Sequence, residues 1–249
     1  MNIPFELYTL AITALVVVAA YIIFGISAFG AALFTVPVLS HFYPLDFVLP
    51  TCVLLDVAAA LAIGTRFSRE ADIGELKWMA PASLAGAVLG VTLLVSVPRQ
   101  ATLFAFGLFL LAYGVYALRP NTGTAKMNSR AWAPVAGFAG GATGTLFGIG
   151  APPYAIYLTR RVESKTALRA TLSNMVLLST TIRALVFAVG GLMLADRLLM
   201  FAILVPFALV GLWIGNRLHA RVSREQLARV ISGIVLLIGV SVLVRAFSS

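Results

Sequence analysis

Two stretches of small residues, GISAFGAALFTVP at 25–37 and GTLFGIGAPP at 144–153, interrupt long apolar segments at matching places in the two halves of the chain. A break in a membrane helix leaves backbone N–H and C=O groups unpaired. Lipid does not tolerate such groups unless the break is packed in protein or lines a polar cavity. Matched interrupted segments are typical of the substrate sites of secondary transporters. The breaks therefore predict a transporter whose site lies between them.

The composition places the chain in the membrane. Of its 249 residues, 61% are hydrophobic and 11% are charged, whereas a soluble domain carries about 25% charged residues. We predict a single membrane domain over residues 1–249, without a cofactor or a metal. The net charge of +9 lies in short loops between apolar runs, where membrane orientation explains it better than nucleic-acid binding does. The single Cys52 excludes an internal disulfide and a multi-cysteine metal site.

Eight apolar segments define the topology. They lie at roughly 7–39, 46–65, 78–97, 101–118, 131–159, 168–190, 198–216 and 226–247. A single crossing takes about 20 residues, so the first and fifth segments are too long for one helix and too short for two. We expect the fifth to divide into about ten residues before Gly141 and about eight after Pro152. Neither piece would span a core of about 30 Å at a rise of about 1.5 Å per residue.

The distribution of Lys and Arg decides between crossings and re-entrant hairpins for these two segments. If all eight segments cross, the two sides carry eight and nine cations, which gives no orientation signal. If the first and fifth segments are re-entrant hairpins, the sides carry three and fourteen, with Arg183 inside a helix. Cytoplasmic loops are enriched in Lys and Arg. We therefore predict two hairpins, a cytoplasmic fourteen-cation face, and a multi-pass protein of the plasma (inner) membrane with both termini outside the cytoplasm.

The same topology makes the two halves inverted repeats, one at 1–120 and one at 126–249. The predicted fold is an all-α integral membrane protein in which each repeat has one re-entrant broken-helix hairpin and three transmembrane helices. Residues matched at offsets of 120 or 125 support a duplication: Gly30/Gly150, Thr51/Thr171, Gly86/Gly211 and Gly90/Gly215. Glycines four apart let helix backbones approach closely, so we predict that the last two matched pairs pack helices together.

The chain resembles the sulfite exporter TauE/SafE family in the segments GISAFGAALFTVPVL and GTLFGIGAPPYAIYL. That family's pattern is a run of small residues, broadly G-x-x-G-x-G-G-G, followed by apolar residues and a proline. The resemblance covers the whole chain and implies a plasma-membrane carrier that exports small anions, among them sulfite, sulfonates, other sulfur oxyanions and some carboxylates. The chain departs from the pattern where Ala28, Ala31, Ala32 and Thr145 stand at glycine positions and Pro152 ends the second small run.

The two hairpin tips are the predicted anion site. Each returning helix begins just after its glycine run, and a helix N-terminus presents free N–H groups and a partial positive charge. Small residues there let an oxyanion reach the backbone; the alternative is that they only pack helices. The residues predicted to bind substrate are Ser27, Gly30, Ala31, Thr51, Thr145, Gly148, Gly150, Ala151, Thr171, Asn174 and Arg183. The expected partners are a small anion and the lipid bilayer, and a homodimer is one option for the oligomeric state.

Two charged residues lie inside predicted spans. Charges there are costly and mark functional sites by default, so we predict that the planar guanidinium of Arg183 holds the anion and that Asp56 couples transport to protons. The alternatives are that the two residues pair, or that Arg183 extends to the membrane interface. The predicted mechanism is proton-coupled export by alternating access. Its rivals are a passive anion channel and an intramembrane enzyme built on Cys52 and Asp56, and we expect that the protein is not an enzyme.

Overall fold

The protein is all-helical in the part of the chain that the computed structural model describes, which comprises residues 7–27, 31–63, 70–118, 129–218 and 224–248. Ten helices occupy these ranges: α1 (Leu7–Ser27), α2 (Ala31–Leu39), α3 (Leu45–Ile63), α4 (Ile73–Ser96), α5 (Arg99–Leu118), α6 (Trp132–Phe147), α7 (Ala151–Arg161), α8 (Lys165–Val189), α9 (Ala195–Leu218) and α10 (Arg224–Ser248). The prediction of an all-α protein is therefore confirmed.

Five of these helices contain stretches long and apolar enough to cross a membrane. The stretches are Leu7–Ile26, Leu45–Ala62, Ile73–Ser96, Thr166–Val189 and Ala195–Leu218, and α10 adds a shorter apolar stretch at Val235–Arg245. Helix α1 has 21 residues, or about 31 Å at about 1.5 Å per residue, so its length suits a full crossing as well as one arm of a hairpin. The inverted repeats and the re-entrant hairpins stay predictions.

The break in the fifth apolar segment lies later than the sequence predicts. Helix α6 continues through Gly141 and ends only at Phe147, so the expectation that its first piece ends before Gly141 is wrong. Gly141 lies where α6 touches α4, because a Cβ at this position would collide with the carbonyl oxygen of Ser83. This glycine serves close helix packing rather than helix termination. At 16 residues, α6 is still about 24 Å long and shorter than a bilayer core of about 30 Å.

The described helices form two compact units. Unit 1 contains α1, α2, the first half of α3 up to Leu55, α5, α9 and α10, whereas unit 2 contains α3 from Asp56 onward, α4, α6, α7 and α8. Each unit thus combines helices from both halves of the chain. In both units, the helix that precedes a break packs against a helix from the other half, namely α1 against α9 and α6 against α4.

Glycines make these two helix contacts possible. In unit 1, a Cβ at Gly211 would collide with the carbonyl oxygen of Val18, and one at Gly215 with that of Ile22. In unit 2, a Cβ at Gly86 would collide with the carbonyl oxygen of Phe138, and one at Gly90 would lie 2.8 Å from the Thr145 Cβ. The backbones therefore approach as closely as small residues permit. This confirms the prediction that Gly86/Gly90 and Gly211/Gly215 pack helices.

Candidate functional site

The turn between α6 and α7 forms the tip of a helical hairpin in unit 2. Gly148 adopts a φ of 78°, a left-handed conformation that glycine reaches without a steric penalty. Its N–H donates to the carbonyl oxygen of Gly144 (3.0 Å), and the N–H of Ile149 donates to that of Thr143 (3.4 Å). Helix α7 then begins at Ala151 with prolines in its first turn, where the missing N–H costs little.

Helix α7 returns closely along α6 after this turn. A Cβ at Gly150 would lie 2.6 Å from the carbonyl oxygen of Gly140, and one at Gly140 would collide with the ring of Tyr154. Both glycines are therefore required by the contact between the two helices. Gly150 thus has a structural role whether or not it also contacts a ligand.

Arg183 of α8 reaches this tip. Its side chain is about nine-tenths buried. One terminal nitrogen, Nη1, donates to the carbonyl oxygens of Gly144 (2.9 Å) and Gly148 (3.4 Å), and the other, Nη2, donates to Thr180 Oγ1 (3.2 Å). The guanidinium thus binds carbonyls at the C-terminal end of α6, which carries partial negative charge; the carbonyl of Gly144 also accepts the N–H of Gly148. The third nitrogen, Nε, is buried and has no hydrogen-bond partner among the described residues.

Asp56 of α3 is the counter-ion of Arg183. Its Oδ2 lies 3.9 Å from Arg183 Nη2, and its side chain is only 13% exposed. The two residues that the sequence singles out as charges within spans therefore pair with each other. The site at the α6–α7 tip combines a guanidinium with an unpartnered Nε–H, a carboxylate and a helix N-terminus. The charges of Arg183 and Asp56 cancel, so the net charge of the site is close to zero before any ligand enters.

A buried chain of hydroxyl groups lies one helical turn from Arg183. The hydroxyl of Tyr154 on α7 lies 2.8 Å from Ser83 Oγ on α4 and 2.9 Å from Ser179 Oγ on α8. Both Tyr154 and Ser83 are completely buried. Ser179 precedes Arg183 by four residues and therefore shares its face of α8. The chain connects three helices around the tip, and sequence reasoning missed it because it depends on the register between them.

The predicted threonines make local hydrogen bonds. The Oγ1 atoms of Thr51, Thr145 and Thr171 donate to the carbonyl oxygens four residues earlier, at Phe47, Gly141 and Ala167. Back-bonding of this kind is the usual behaviour of threonine within a helix. Thr171 also accepts the N–H of Asp72 at 2.8 Å. It therefore fixes the loop that leads into α4, and it lies twelve residues, or about 18 Å along α8, before Arg183.

The other predicted residues are placed as follows. Asn174 is buried on α8, nine residues before Arg183 and so on nearly the opposite side of the helix. Ala31 is buried at the start of α2. Gly30 and the side chain of Ser27 lie outside the described residues. Of the predicted set, unit 2 therefore brings together Gly148, Gly150, Ala151, Arg183 and Asp56.

A second charged cluster lies at the other end of the same hairpin. Glu75 of α4 is 1% exposed and forms ion pairs with Arg130 and Arg161. Sequence reasoning missed it because the apolar pattern predicts that the span begins at Trp78, which leaves Glu75 in a loop, whereas α4 begins at Ile73. The available signal was Glu75 itself, an acidic residue within one helical turn of the apolar run that begins at Trp78.

Comparisons with known proteins agree with this picture. The profile of the family described as sulfite exporter TauE/SafE matches residues 13–242. A protein of Comamonas testosteroni, named as a probable inner membrane transporter protein TsaS, is 25% identical over 193 residues, which cover 76% of this chain and 80% of that protein. No solved structure matches the chain significantly. The chain belongs to the sulfite exporter TauE/SafE family, and it is a multi-pass membrane transporter rather than an enzyme.

Proposed function

We propose that the protein is a secondary transporter of the plasma (inner) membrane that exports a small sulfur-containing or organic anion, such as sulfite or a sulfonate, together with protons. The α6–α7 tip is the proposed anion site. The observation that carries the proposal is the Arg183 guanidinium, buried at the tip with its Nε donor unused. Burying a cation in a membrane protein is expensive, and a buried donor without an acceptor adds to that cost. An oxyanion at Nε would satisfy that donor, and it could replace Asp56 as the counter-ion of the guanidinium when Asp56 is protonated.

The donors at the tip suit an anion of a few atoms. Only some N–H groups of the first turn of α7 are available, because Pro152 and Pro153 have none. The N–H groups of Gly150 and Ala151 remain, beside the positive end of the helix dipole. Together with Arg183 Nε, they are the proposed donors to the oxygens of a sulfite or sulfonate group. The corresponding residues of the first break, Ser27, Gly30 and Ala31, stay predictions.

The charge balance at the site supports proton coupling. Arg183 and Asp56 together are neutral, so a bound monoanion makes the buried site negative unless a proton enters with it. Asp56 is the acceptor within 3.9 Å of Arg183. A protonated Asp56 releases the guanidinium from its counter-ion, and the anion takes that place. The proposed stoichiometry is therefore one proton for each monoanion, because an uncompensated buried charge costs several kcal/mol.

The membrane topology proposed here keeps two re-entrant hairpins and six crossings. The equivalent contacts of α9 with α1 and of α4 with α6 support a duplicated architecture. The fourteen-to-three distribution of cations supports a cytoplasmic location of the fourteen. Transport then proceeds by alternating access, as in other carriers with broken helices.

Uptake into proteoliposomes tests the proposed function. Radiolabelled sulfite, a sulfonate and a carboxylate are offered separately, with and without an imposed pH gradient. We expect saturable accumulation of at least one anion, driven by the gradient and accompanied by proton movement that a trapped pH dye reports. Equilibration that ignores the gradient would indicate a passive channel. No flux of any of the three anions would remove this substrate class.

A further inference from the structure

The base of the α6–α7 hairpin is held by one buried carboxylate. Glu75 Oε1 accepts from Nε of Arg130 (3.1 Å) and from Nε of Arg161 (2.9 Å), and Glu75 Oε2 accepts from the hydroxyl of Tyr157 (2.6 Å). Glu75 itself belongs to the first turn of α4, where its N–H donates to Asp72 Oδ1 (3.2 Å). We call Glu75, Arg130, Arg161 and Tyr157 the Glu75 cluster.

The Glu75 cluster joins both ends of the hairpin. Arg130 lies two residues before α6 begins, and Arg161 is the last residue of α7. The two guanidinium groups approach the same carboxylate oxygen. Because α7 is 11 residues long, about 16 Å of helix separates this carboxylate from the tip. A small rotation at the base therefore becomes a larger displacement at Gly148 and Ala151.

We propose that Glu75 is a positioning residue for the anion site. Its negative charge holds the two ends of the hairpin on α4 and so fixes where the tip lies relative to Arg183. This inference rests on the proposed function for the identity of the site, although the positioning itself does not depend on which anion is carried.

The negative charge of Glu75, rather than its shape, is what we expect to hold the two arginines. A buried carboxylate without partners is strongly destabilising, whereas one paired with hydrogen-bonded cations is tolerated. The partners are themselves less buried: the side chain of Arg130 is 52% exposed and that of Arg161 is 24% exposed. Water can therefore solvate the arginines when the pairs break. An uncharged Gln at position 75 would keep the bond from Tyr157 and lose both ion pairs, so Glu75→Gln isolates the effect of charge.

A thiol reporter at the tip measures this positioning without any substrate. Cys52, the single cysteine of the chain, is changed to Ala, and Ala151→Cys supplies the reporter. We expect Glu75→Gln to raise the rate of maleimide labelling at the reporter about tenfold, because loss of a buried charge pair is costly. Arg161→Lys keeps the positive charge and should leave the rate near that of the parent. Arg161→Gln should give an intermediate rate, because Arg130 still pairs with Glu75.

Two controls separate positioning from a general loss of structure. Glu70→Gln makes the same chemical change at an exposed position and should leave labelling unchanged. A Val189→Cys reporter, at a residue that is 91% exposed at the end of α8, should label at the same rate in the Glu75→Gln variant as in the parent. If Glu75→Gln does not fold, the comparison of Arg161→Gln with Arg161→Lys decides.

An unchanged rate at the Ala151→Cys reporter in the Glu75→Gln variant, or in Arg161→Gln where that variant decides, would overturn the proposal. Equal increases at the Ala151→Cys and Val189→Cys reporters would overturn it as well, because they would mean a general loosening. Protection of the Ala151→Cys reporter by added sulfite tests the proposed function separately. Its failure would leave the positioning result standing.

Discussion

The two helices that precede the breaks are packed alike but differ in their chemical surroundings. In unit 2 a tyrosine of the hairpin itself and a serine and a glutamate of the neighbouring α4 are all buried. The offsets of 120 and 125 residues relate these three to apolar residues of the other repeat: Tyr154 to Phe34, Ser83 to Ala208 and Glu75 to Met200. Ala208 and Met200 are as fully buried as their polar counterparts. The shared glycine contacts form a scaffold, and these three polar side chains of unit 2 have no polar counterpart at the related positions.

The Arg183–Asp56 pair also has no charged counterpart at the related positions, although unit 1 contains a different ion pair, between Arg197 and Asp46 (3.0 Å). The 120-residue offset relates Arg183 to Ile63 and Asp56 to Val176. Buried charges are retained only where they are paired or used. The proposed anion site therefore depends on the Arg183–Asp56 pair of unit 2, whereas close glycine contacts occur in both units. The following substitutions test this division.

The largest effect is expected at Arg183. Arg183→Gln removes the cation at the tip and leaves the Asp56 carboxylate buried without its guanidinium. We expect the initial rate of gradient-driven anion uptake to fall about a hundredfold, in line with the loss of one partner of a buried charge pair. Arg245→Gln is the matched control in unit 1, where Arg245 donates to the carbonyl oxygen of Ser40 at 2.9 Å. Equal losses in both variants would refute the assignment of the site to unit 2.

Substitution of a packing glycine should lower stability by a similar amount in the two units. Gly86→Ala and Gly211→Ala each place a methyl group against a backbone carbonyl of the neighbouring helix. We expect each to lower the free energy of unfolding by about 1–3 kcal/mol, as overpacking does. Chemical denaturation in detergent measures it. Gly233→Ala on α10, where no described atom beyond the local backbone lies within 4 Å of the added Cβ, should be neutral or slightly stabilising. If Gly86→Ala left the free energy of unfolding unchanged while Gly211→Ala lowered it, the two units would not share this scaffold.

Asp56 should affect coupling more than folding. In Asp56→Asn the group near Arg183 can no longer accept a proton, so a pH gradient should lose its effect on accumulation. We expect the ratio of uptake with and without the gradient to fall about tenfold, which corresponds to about 1.4 kcal/mol, while the variant still binds anion. Val176→Asn, at the position related by the repeat, is the control. Gradient-driven accumulation that persists in Asp56→Asn would place the proton acceptor elsewhere.

The smallest effect is expected at Tyr154. Tyr154→Phe keeps the ring against Gly140 and removes the hydroxyl that bridges Ser83 and Ser179. Each serine can turn to a carbonyl of its own helix, so the loss should be about 1 kcal/mol of unfolding free energy, the worth of an ordinary hydrogen bond. Thermal unfolding of the Phe variant beside the double variant Ser83→Ala/Ser179→Ala checks this. A loss of about 3 kcal/mol or more, well above the worth of one ordinary hydrogen bond, would mean that the hydroxyl chain holds the unit together.

The sequence predicted the helices better than it predicted the contacts between them, and the location of the anion site stays a prediction. Small residues around Gly150 and the prolines after them indicated the start of α7, because their backbone preferences are local. The end of α6 was misplaced, because Gly141 looks like a helix breaker but serves packing against Ser83 of a distant helix. The charges of Asp56 and Arg183 were visible as exceptions in apolar runs. Their pairing, like the Glu75 cluster, depends on how helices far apart in sequence align, which no local pattern contains.

The central claim is that the anion binds at the α6–α7 tip against Arg183. Selenite is a sulfite analogue whose selenium scatters anomalously, so a crystal structure of the protein soaked in selenite locates it directly. The account predicts an anomalous peak within hydrogen-bonding reach of Arg183 Nε and of the first N–H groups of α7, and predicts that the peak disappears in Arg183→Gln. A peak elsewhere in the protein, or no peak at saturating selenite, would contradict it.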